Sequence, residues 1–264
     1  MNLPDLLGGI ITGLAGGFTS GLFGVSPGGG LVVFSVLLLG AEQHVAQGIS
    51  LVAQIPPTSA SGIRQYWLAG ERTPLRWLIL LAIGFVAGGV FGAWAANVVT
   101  ARVLQWCYVG YLAALDAMLI LRARRTRKPS KDERDSAGTT RGLHWPTLSA
   151  VGLVAGMSSG FLGIGGGLAT VIGLSVVLGV PQHRAQMIGL VLSLVPTTIP
   201  SSWVYWQSGA MASWPTLAGV VLGLVIGTDL GARLATRVAA ATLQRALILF
   251  LSLMIVGMAL KALM

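Results

Sequence analysis

Two glycine-rich turns carry the residues whose types and spacing could bind a small anion. The first runs from Gly24 to Gly30 and reads Gly-Val-Ser-Pro-Gly-Gly-Gly, and the second, from Gly163 to Gly167, reads Gly-Ile-Gly-Gly-Gly. Neither turn contains a charge, and each lies between two apolar runs. Glycine interrupts a helix and lets a ligand approach the backbone closely. The apolar segment that follows begins with free N–H groups at the positive end of its dipole, which favours an anion.

Neutral polar side chains accompany the turns in each half of the chain. The motif Gln-His-x-Ala-Gln occurs at 43–47 and again at 182–186, and its two glutamines, four residues apart, share a helix face. The apolar segments that these motifs open are later broken by proline, at Pro56–Pro57 and at Pro196. Proline frees a helix carbonyl, which in lipid must be satisfied by neighbours or line a polar cavity.

We expect these groups to form a substrate-binding site near the middle of a membrane, because neutral donors suit an oxyanion that must be released again. Capping of helix ends, satisfaction of the kinks and interhelical hydrogen bonding are the alternative interpretation, and the sequence leaves both open. The predicted substrate-binding residues are Ser26, Gly28, Gly29, Gly30, Gln43, His44, Gln47, Gln54, Thr58, Gly165, Gly166, Gly167, Gln182, Gln186, Ser193 and Thr197.

Two aspartates, Asp116 and Asp229, are the acidic residues placed most deeply in apolar segments. A carboxylate inside a membrane is a functional candidate, often for protons, so both are candidates for proton coupling. The alternative is structural pairing, since Arg233 follows Asp229 at four-residue spacing and Arg122 lies a short distance beyond Asp116.

The sequence predicts no enzyme, no metal site and no cofactor. His44 and His183 lie in different halves with no cysteine or carboxylate cluster beside them. A serine nucleophile needs a base within reach, and the serines of Ser158–Gly160 have a counterpart at Thr19–Gly21, which indicates a duplicated structural feature. The chain also lacks HExxH, paired-aspartate and Walker motifs.

Composition identifies an integral membrane protein. The 264 residues are 54% hydrophobic and 9% charged, with a mean hydropathy of +0.80, whereas soluble domains carry about 25% charged residues. The net charge of +9 does not indicate nucleic acid as a partner, because eight of the 17 basic residues fall between Arg122 and Arg141. That clustering is typical of a topology signal, and it also suits contact with anionic membrane lipid.

Ten apolar segments must position these residues. Five precede the basic stretch, at about 4–24, 28–41, 44–68, 74–99 and 102–121, and five follow it, at about 145–163, 167–180, 183–207, 213–238 and 241–263. A helix needs about 20 residues to cross a bilayer. The second segment of each half is therefore short, and the first two segments form either a re-entrant pair or one full and one short crossing.

The two halves are copies of one another. At an offset of 139 residues the glycines, the Gln-His-x-Ala-Gln motifs and the proline breaks align without a gap. The first two segments return the chain to its starting side and three more follow, so each half makes a net odd number of crossings and the second half is inverted. The positive-inside rule then places the linker in the cytoplasm and both termini outside, with Arg102 as the one exception.

We therefore predict an all-α membrane protein, a polytopic helical bundle of two inverted-topology repeats with broken or short helices at the glycine-rich turns. The first transmembrane repeat covers residues 1–121, a basic cytoplasmic linker covers 122–144, and the second, inverted repeat covers 145–264.

The same residues resemble the sulfite exporter TauE/SafE family of bacterial inner-membrane permeases, over nearly the whole chain. The run from Gly24 to Gly30 and the motif from Gln43 to Ser50 resemble the most specific part of that family, and 163–167 is similar. The second turn lacks the Ser-Pro of the first, so the halves need not bind equivalently. The resemblance implies transport of small sulfur-containing anions such as sulfite, sulfonates like sulfoacetate, or thiosulfate.

The resulting functional prediction is an inner-membrane transporter that exports sulfite or an organosulfonate by alternating access at a midplane site between the repeats. An importer of thiosulfate or a related anion, or a passive anion channel, is the alternative. The expected partners are the small anionic substrate and membrane lipid. The oligomeric state stays open, with a homodimer as one arrangement.

Overall fold

The computed structural model describes the chain over residues 3–23, 26–56, 75–125, 145–174, 178, 180, 188–189, 191–192, 197–235, 237–238 and 240–263. Over these residues the fold is all-helical, as predicted, with no strand. The helices are α1 (Leu3–Phe23), α2 (Gly28–Leu38), α3 (Gln43–Ala53), α4 (Leu75–Val98), α5 (Ala101–Arg125), α6 (Trp145–Leu162), α7 (Gly166–Ile172), α8 (Ile199–Gln207), α9 (Trp214–Ala235) and α10 (Ala240–Leu263).

The long helices match a bilayer in length and composition. Helices α1, α4, α9 and the Arg245–Leu263 part of α10 are each long and apolar enough to cross a membrane. The 21 residues of α1 extend about 31 Å, close to the thickness of the hydrocarbon core. Leucine, isoleucine and tryptophan side chains lie exposed on the outer faces of these helices, where lipid would cover them. The protein is a multi-pass membrane protein.

The short second segments are helices, but neither crosses a bilayer alone. Helix α2 has 11 residues and α7 has seven, or roughly 16 and 10 Å of rise, against about 30 Å of hydrocarbon. In the third segment of the second half, the predicted break at Pro196 lies outside the described residues, and α8 begins at Ile199 with Pro200 in its first turn. A proline there loses no helix hydrogen bond.

The chain forms two compact units, and each combines segments of both sequence halves. The first unit contains Met1–Ile49, Val99–Ser130 and Met211–Met264, and the second contains Ser50–Val98 and Lys131–Ala210. The first helix of one half packs against the fourth helix of the other half in each unit, α1 against α9 and α4 against α6. Each unit therefore uses the same pairing of equivalent segments.

A row of glycines brings the backbones of α1 and α9 into contact in the first unit. A Cβ atom on Gly17 would lie against the carbonyl oxygen of Leu224 and 2.9 Å from the backbone nitrogen of Thr228. The glycines of this seam, spaced four residues apart, are Gly9, Gly13, Gly17 and Gly21 on α1 and Gly219, Gly223, Gly227 and Gly231 on α9. This is how helices pack closely where lipid removes the hydrophobic driving force between them.

The second unit repeats this seam between α4 and α6. Gly84, Gly88 and Gly92 on α4 face Gly152, Gly156 and Gly160 on α6, again with backbone against backbone. In both seams the residue numbers rise together, so the paired helices run parallel. A parallel seam between the first helix of one half and the fourth helix of the other is compatible with the inverted repeat that the sequence predicts.

Gly156→Val tests whether the seam determines folding. The first added carbon would lie 2.8 Å from both the Cα and the carbonyl carbon of Phe85, and overpacking of a tight contact costs about 1–3 kcal/mol or more. We expect a loss of monodisperse protein in detergent and a lower melting temperature. Gly110→Val on α5 is the matched control, because nothing lies within 4 Å of a Cβ there. Equal yields and melting temperatures for the two variants would contradict the seam.

Candidate functional site

The first glycine turn reverses the chain so that α2 returns alongside α1. A Cβ on Gly16 would meet the side chain of Leu31, and one on Gly8 would meet that of Leu39, so the two helices are antiparallel. A Cβ on Gly30 would lie 3.1 Å from Thr19 Oγ1, one turn before the end of α1. The predicted helix start at Gly28 is confirmed. It lies beside the last turns of α1, within the length of that helix.

A tyrosine of α5 holds this turn. The hydroxyl of Tyr108 donates a hydrogen bond of 2.6 Å to the carbonyl oxygen of Gly29, and the Tyr108 residue is fully buried. Tyr108 was not among the predicted site residues. The available signal was a phenol in an otherwise apolar segment, since a buried tyrosine hydroxyl usually finds a partner.

The second glycine turn has a backbone that only glycine adopts easily. Gly163 and Gly165 have φ angles of 69° and 76°, in the left-handed region that costs other residues free energy. The N–H of Gly163 still bonds the carbonyl of Ser159 at 2.7 Å, which closes α6, and α7 begins at Gly166. Gly165 is thus required by the turn itself, while Gly166 and Gly167 lie in the first turn of α7.

The proline-broken end of α3 contacts this second turn. The Ser50 hydroxyl donates a 2.6 Å hydrogen bond to the carbonyl oxygen of Gly163, and Ser50 is fully buried. The Gln54 amide in turn donates to the Ser50 hydroxyl at 3.1 Å and to the Ser50 carbonyl at 2.9 Å. Gln54 therefore satisfies the broken end of α3, as in the alternative interpretation, and its hydrogen bond to Ser50 links it to the glycine turn. Ser50 itself was not among the predicted site residues.

A second tyrosine secures the helix that leads into this turn. The hydroxyl of Tyr205 on α8 donates a 2.9 Å hydrogen bond to the carbonyl oxygen of Gly160, one of the last four carbonyls of α6, which lack a partner within the helix. The sequence carried a signal for Tyr205, because it matches Tyr66 at the offset of 139 residues. Tyr66 lies outside the described residues.

The first Gln-His-x-Ala-Gln motif opens α3 and is largely buried. Gln43 and Gln47 are 3% and 0% exposed, and neither amide atom of Gln43 has a hydrogen-bond partner among the described residues. His44 Nε2 lies 3.1 Å from the carbonyl oxygen of Val99, just before α5 begins. Gly29 bonds Tyr108, nine residues or about 13 Å further along. His44 and Gly29 therefore contact different positions along this part of the chain.

Of the remaining predicted site residues, some lie within the described part of the structure and others do not. Thr197 is buried, and its hydroxyl lies 3.4 Å from the carbonyl oxygen of Leu192. Ser26 directly precedes the first turn's Pro27, and Gly30 lies in the first turn of α2. The predicted residues outside the described ones are Thr58, Gln182, Gln186 and Ser193.

The two membrane aspartates have different surroundings. Asp229 pairs with Arg233 at 2.7 Å on an exposed face of α9, so the predicted pairing at four-residue spacing is confirmed. Asp116 is 7% exposed and accepts a 2.9 Å hydrogen bond from the hydroxyl of Ser252 on its Oδ2, and its Oδ1 has no partner among the described residues. The side chain of Arg122 lies outside the described part of the chain.

Spanning helices, short helices that start at polar glycine turns, and an internal duplication together define a multi-pass helical membrane transporter. The family model described as "Sulfite exporter TauE/SafE" matches residues 9–258, and the chain belongs to this family of membrane transporters. A curated relative described as a "Probable membrane transporter protein" of Xylella fastidiosa (strain 9a5c) is 29% identical over 189 residues, which cover 70% of this chain and 68% of that protein. No solved structure matches the chain.

Tyr108→Phe tests the tie between α5 and the first turn. The change keeps the buried ring and removes the donor to Gly29, so we expect the free energy of unfolding to fall by about 1 kcal/mol. Tyr111→Phe is the matched control on the same helix, because the buried Tyr111 hydroxyl has no partner among the described residues. Thermal unfolding in detergent should place Tyr108→Phe below wild type and Tyr111→Phe at or above it. The reverse order would contradict the assigned role of Tyr108.

Proposed function

We propose that this transporter exports sulfite or an organosulfonate such as sulfoacetate. The observation that carries the proposal is the hydrogen-bonded chain from Gln54 through Ser50 to Gly163. It places neutral donors from the first half of the sequence against the glycine turn of the second half, in a turn without a charged residue. Membership of the TauE/SafE family supports a sulfur oxyanion as the cargo.

A site of neutral donors suits a cargo that must leave again. An isolated anion in a low-dielectric interior is stabilised by hydrogen-bond donors and dipoles, whereas a lysine or arginine at the site would hold it more strongly. Alternating access at this turn would expose the donors first to one side and then to the other. For a divalent anion that leaves a cell negative inside, the membrane potential alone contributes about 4.6 kcal/mol per 100 mV in the direction of export.

The proposed location is the bacterial inner membrane, with the basic stretch in the cytoplasm and both termini in the periplasm. The support is the charge distribution. Basic residues concentrate between 122 and 141, and Arg233, Arg237 and Arg245 flank the loop between α9 and α10, which lies on the same side in an inverted repeat.

We also propose that a coupled proton binds at Asp116. This carboxyl group is buried, holds one hydrogen bond from Ser252, and forms no ion pair among the described residues. The charged residues of the packed helix α10, Arg245 and Lys261, lie seven and nine residues from Ser252, about 10 and 13 Å along the helix. Asp229 is the weaker candidate, because it is exposed and paired with Arg233.

Transport in proteoliposomes tests the proposed cargo and direction. We expect saturable efflux of sulfite or sulfoacetate that accelerates when the compartment holding the anion is made negative, because the potential acts on the charge of the cargo. Acetate and protein-free liposomes are the controls. Concentrative uptake of thiosulfate under an imposed gradient would favour the importer instead, and a flux without saturation would favour a channel.

Asp116→Asn tests the proposed proton site. Asparagine keeps an acceptor for Ser252 but carries no titrating proton, so an imposed proton gradient should change the rate of sulfite transport in wild type and not in this variant. Glu42→Gln is the control, because Glu42 is an exposed carboxylate before α3. A gradient response that survives in Asp116→Asn would remove Asp116 from the mechanism.

A further inference from the structure

Hydrogen bonds join the second glycine turn to the end of α3. Ser50 has one hydroxyl proton, and it is given to the carbonyl oxygen of Gly163. The Gln54 amide nitrogen, with two protons, donates to the Ser50 carbonyl and to the Ser50 hydroxyl oxygen. Every one of these bonds lies within the second unit of the structure. These bonds direct donors of the two side chains at the protein's own oxygens.

An oxyanion such as sulfite offers acceptors to these groups. It can receive a hydrogen bond from Ser50 only if the hydroxyl turns away from Gly163, since the hydroxyl has a single proton. The Gly163 carbonyl then loses that partner, and an unsatisfied carbonyl in a membrane interior is unfavourable. Binding of the anion and the conformation of the turn are therefore linked.

The backbone of the second glycine turn can change conformation when the Gly163 carbonyl loses a partner. Gly163 and Gly165, on either side of the buried Ile164, both have positive φ angles. Because glycine occupies regions of φ and ψ that other residues avoid, the peptide groups between them can reorient at low cost. A change in the partner of one carbonyl can thus move the start of α7.

We propose that Ser50 is a specificity-determining donor whose hydroxyl exchanges the Gly163 carbonyl for an oxygen of the transported anion, with Gln54 orienting it and donating beside it. The proposal rests on the proposed function, because it assumes that the cargo is an oxyanion bound at this turn. Binding of the anion to Ser50 then breaks the hydrogen bond between Ser50 and the Gly163 carbonyl. The loss of that bond allows the glycine turn to change conformation. The cargo is recognised through oxygen acceptors at fixed positions, which distinguishes sulfite and sulfonates from chloride, a spherical acceptor without fixed directions.

Anion-dependent thermal stabilisation of the purified full chain in detergent tests this assignment. Sodium sulfite is the probe, and sodium chloride at equal ionic strength is the reference. A ligand that binds the folded state raises apparent stability by mass action, so the midpoint of the titration gives the affinity. We expect Ser50→Ala to weaken sulfite affinity roughly five- to tenfold, because the lost hydrogen bond to a charged oxyanion is stronger than the neutral one to Gly163 that it replaces.

Three further variants separate the binding role from a structural one. Ser50→Thr keeps the hydroxyl and should retain most of the affinity. Gln54→Glu is nearly isosteric but replaces the donor with a carboxylate, and it should weaken sulfite binding at least as much as Ser50→Ala does. Ser158→Ala is the matched control, because its hydroxyl is exposed and, among the described residues, bonds only the carbonyl of Val154 on its own helix in the same unit.

The outcomes distinguish this inference from the proposed function. Sulfite affinity in Ser50→Ala equal to that of wild type, with wild type clearly stabilised by sulfite, would overturn the role of Ser50 and leave the function standing. Absence of stabilisation of wild type by sulfite or sulfoacetate would overturn the proposed cargo. Reduced affinity in Ser50→Ala and Gln54→Glu, with Ser50→Thr and Ser158→Ala close to wild type, is the result that we expect. If Ser50→Ala yields no folded protein, Gln54→Glu decides, and unchanged affinity there overturns the proposal.

Discussion

Contact between bare backbones is the constraint on which this structure depends. Along both seams a Cβ atom at the glycines would meet main-chain atoms of the neighbouring helix, so the helix axes can be this close only where no side chain intervenes. Lipid is as apolar as leucine, and helices in a membrane therefore gain little from hiding apolar side chains from it. What remains is close packing, and the four-residue glycine spacing supplies it over most of the length of α1 and α9. The outer faces are then free to carry large apolar side chains toward lipid.

The seams also fix the helix ends from which the glycine turns begin. The helices α1 and α6, which lead into the glycine turns, are each fixed along one face by a seam, so the turns start from well-defined helix ends. Polar backbone groups at these turns must be satisfied without water, among them the last carbonyls of α6. Hydroxyl groups from elsewhere in the same unit do this, Tyr108 at Gly29 and Tyr205 at Gly160. The tyrosines keep the polar turns stable inside an apolar surrounding.

Much of this architecture follows from the sequence alone, for physical reasons. Apolar segments, glycine turns and proline breaks are local features, so the described helices begin and end close to the predicted boundaries, and the duplication is visible without a gap. Membership of the family was likewise visible in the turns and in the Gln-His-x-Ala-Gln motifs. Some helix ends differ from the prediction, because α5 continues to Arg125, into the stretch predicted as linker, and α7 ends at Ile172, within the segment predicted at 167–180.

The hydrogen-bond partners at the turns could not be predicted from the sequence. Ser50 and Gly163 are 113 residues apart in sequence, and the sequence has no local pattern that pairs a serine with a particular carbonyl. Gln54 was visible because proline marks a kink next to it, whereas Ser50 lies in an unbroken helical turn. The exchange of segments between the two units also leaves no local trace, since it depends on which glycine rows meet.

The hydrogen bond between Ser50 and the Gly163 carbonyl is itself consistent with transport. A donor left unsatisfied in a membrane interior would be unfavourable whenever the site is empty, and a fixed cation would make release slow. A serine hydroxyl that alternates between a backbone carbonyl and an oxyanion avoids both costs, because it has a partner in each state. The free energy of binding is then the difference between two hydrogen bonds rather than the whole of one. A small difference of this kind allows the cargo to be bound on one side of the membrane and released on the other.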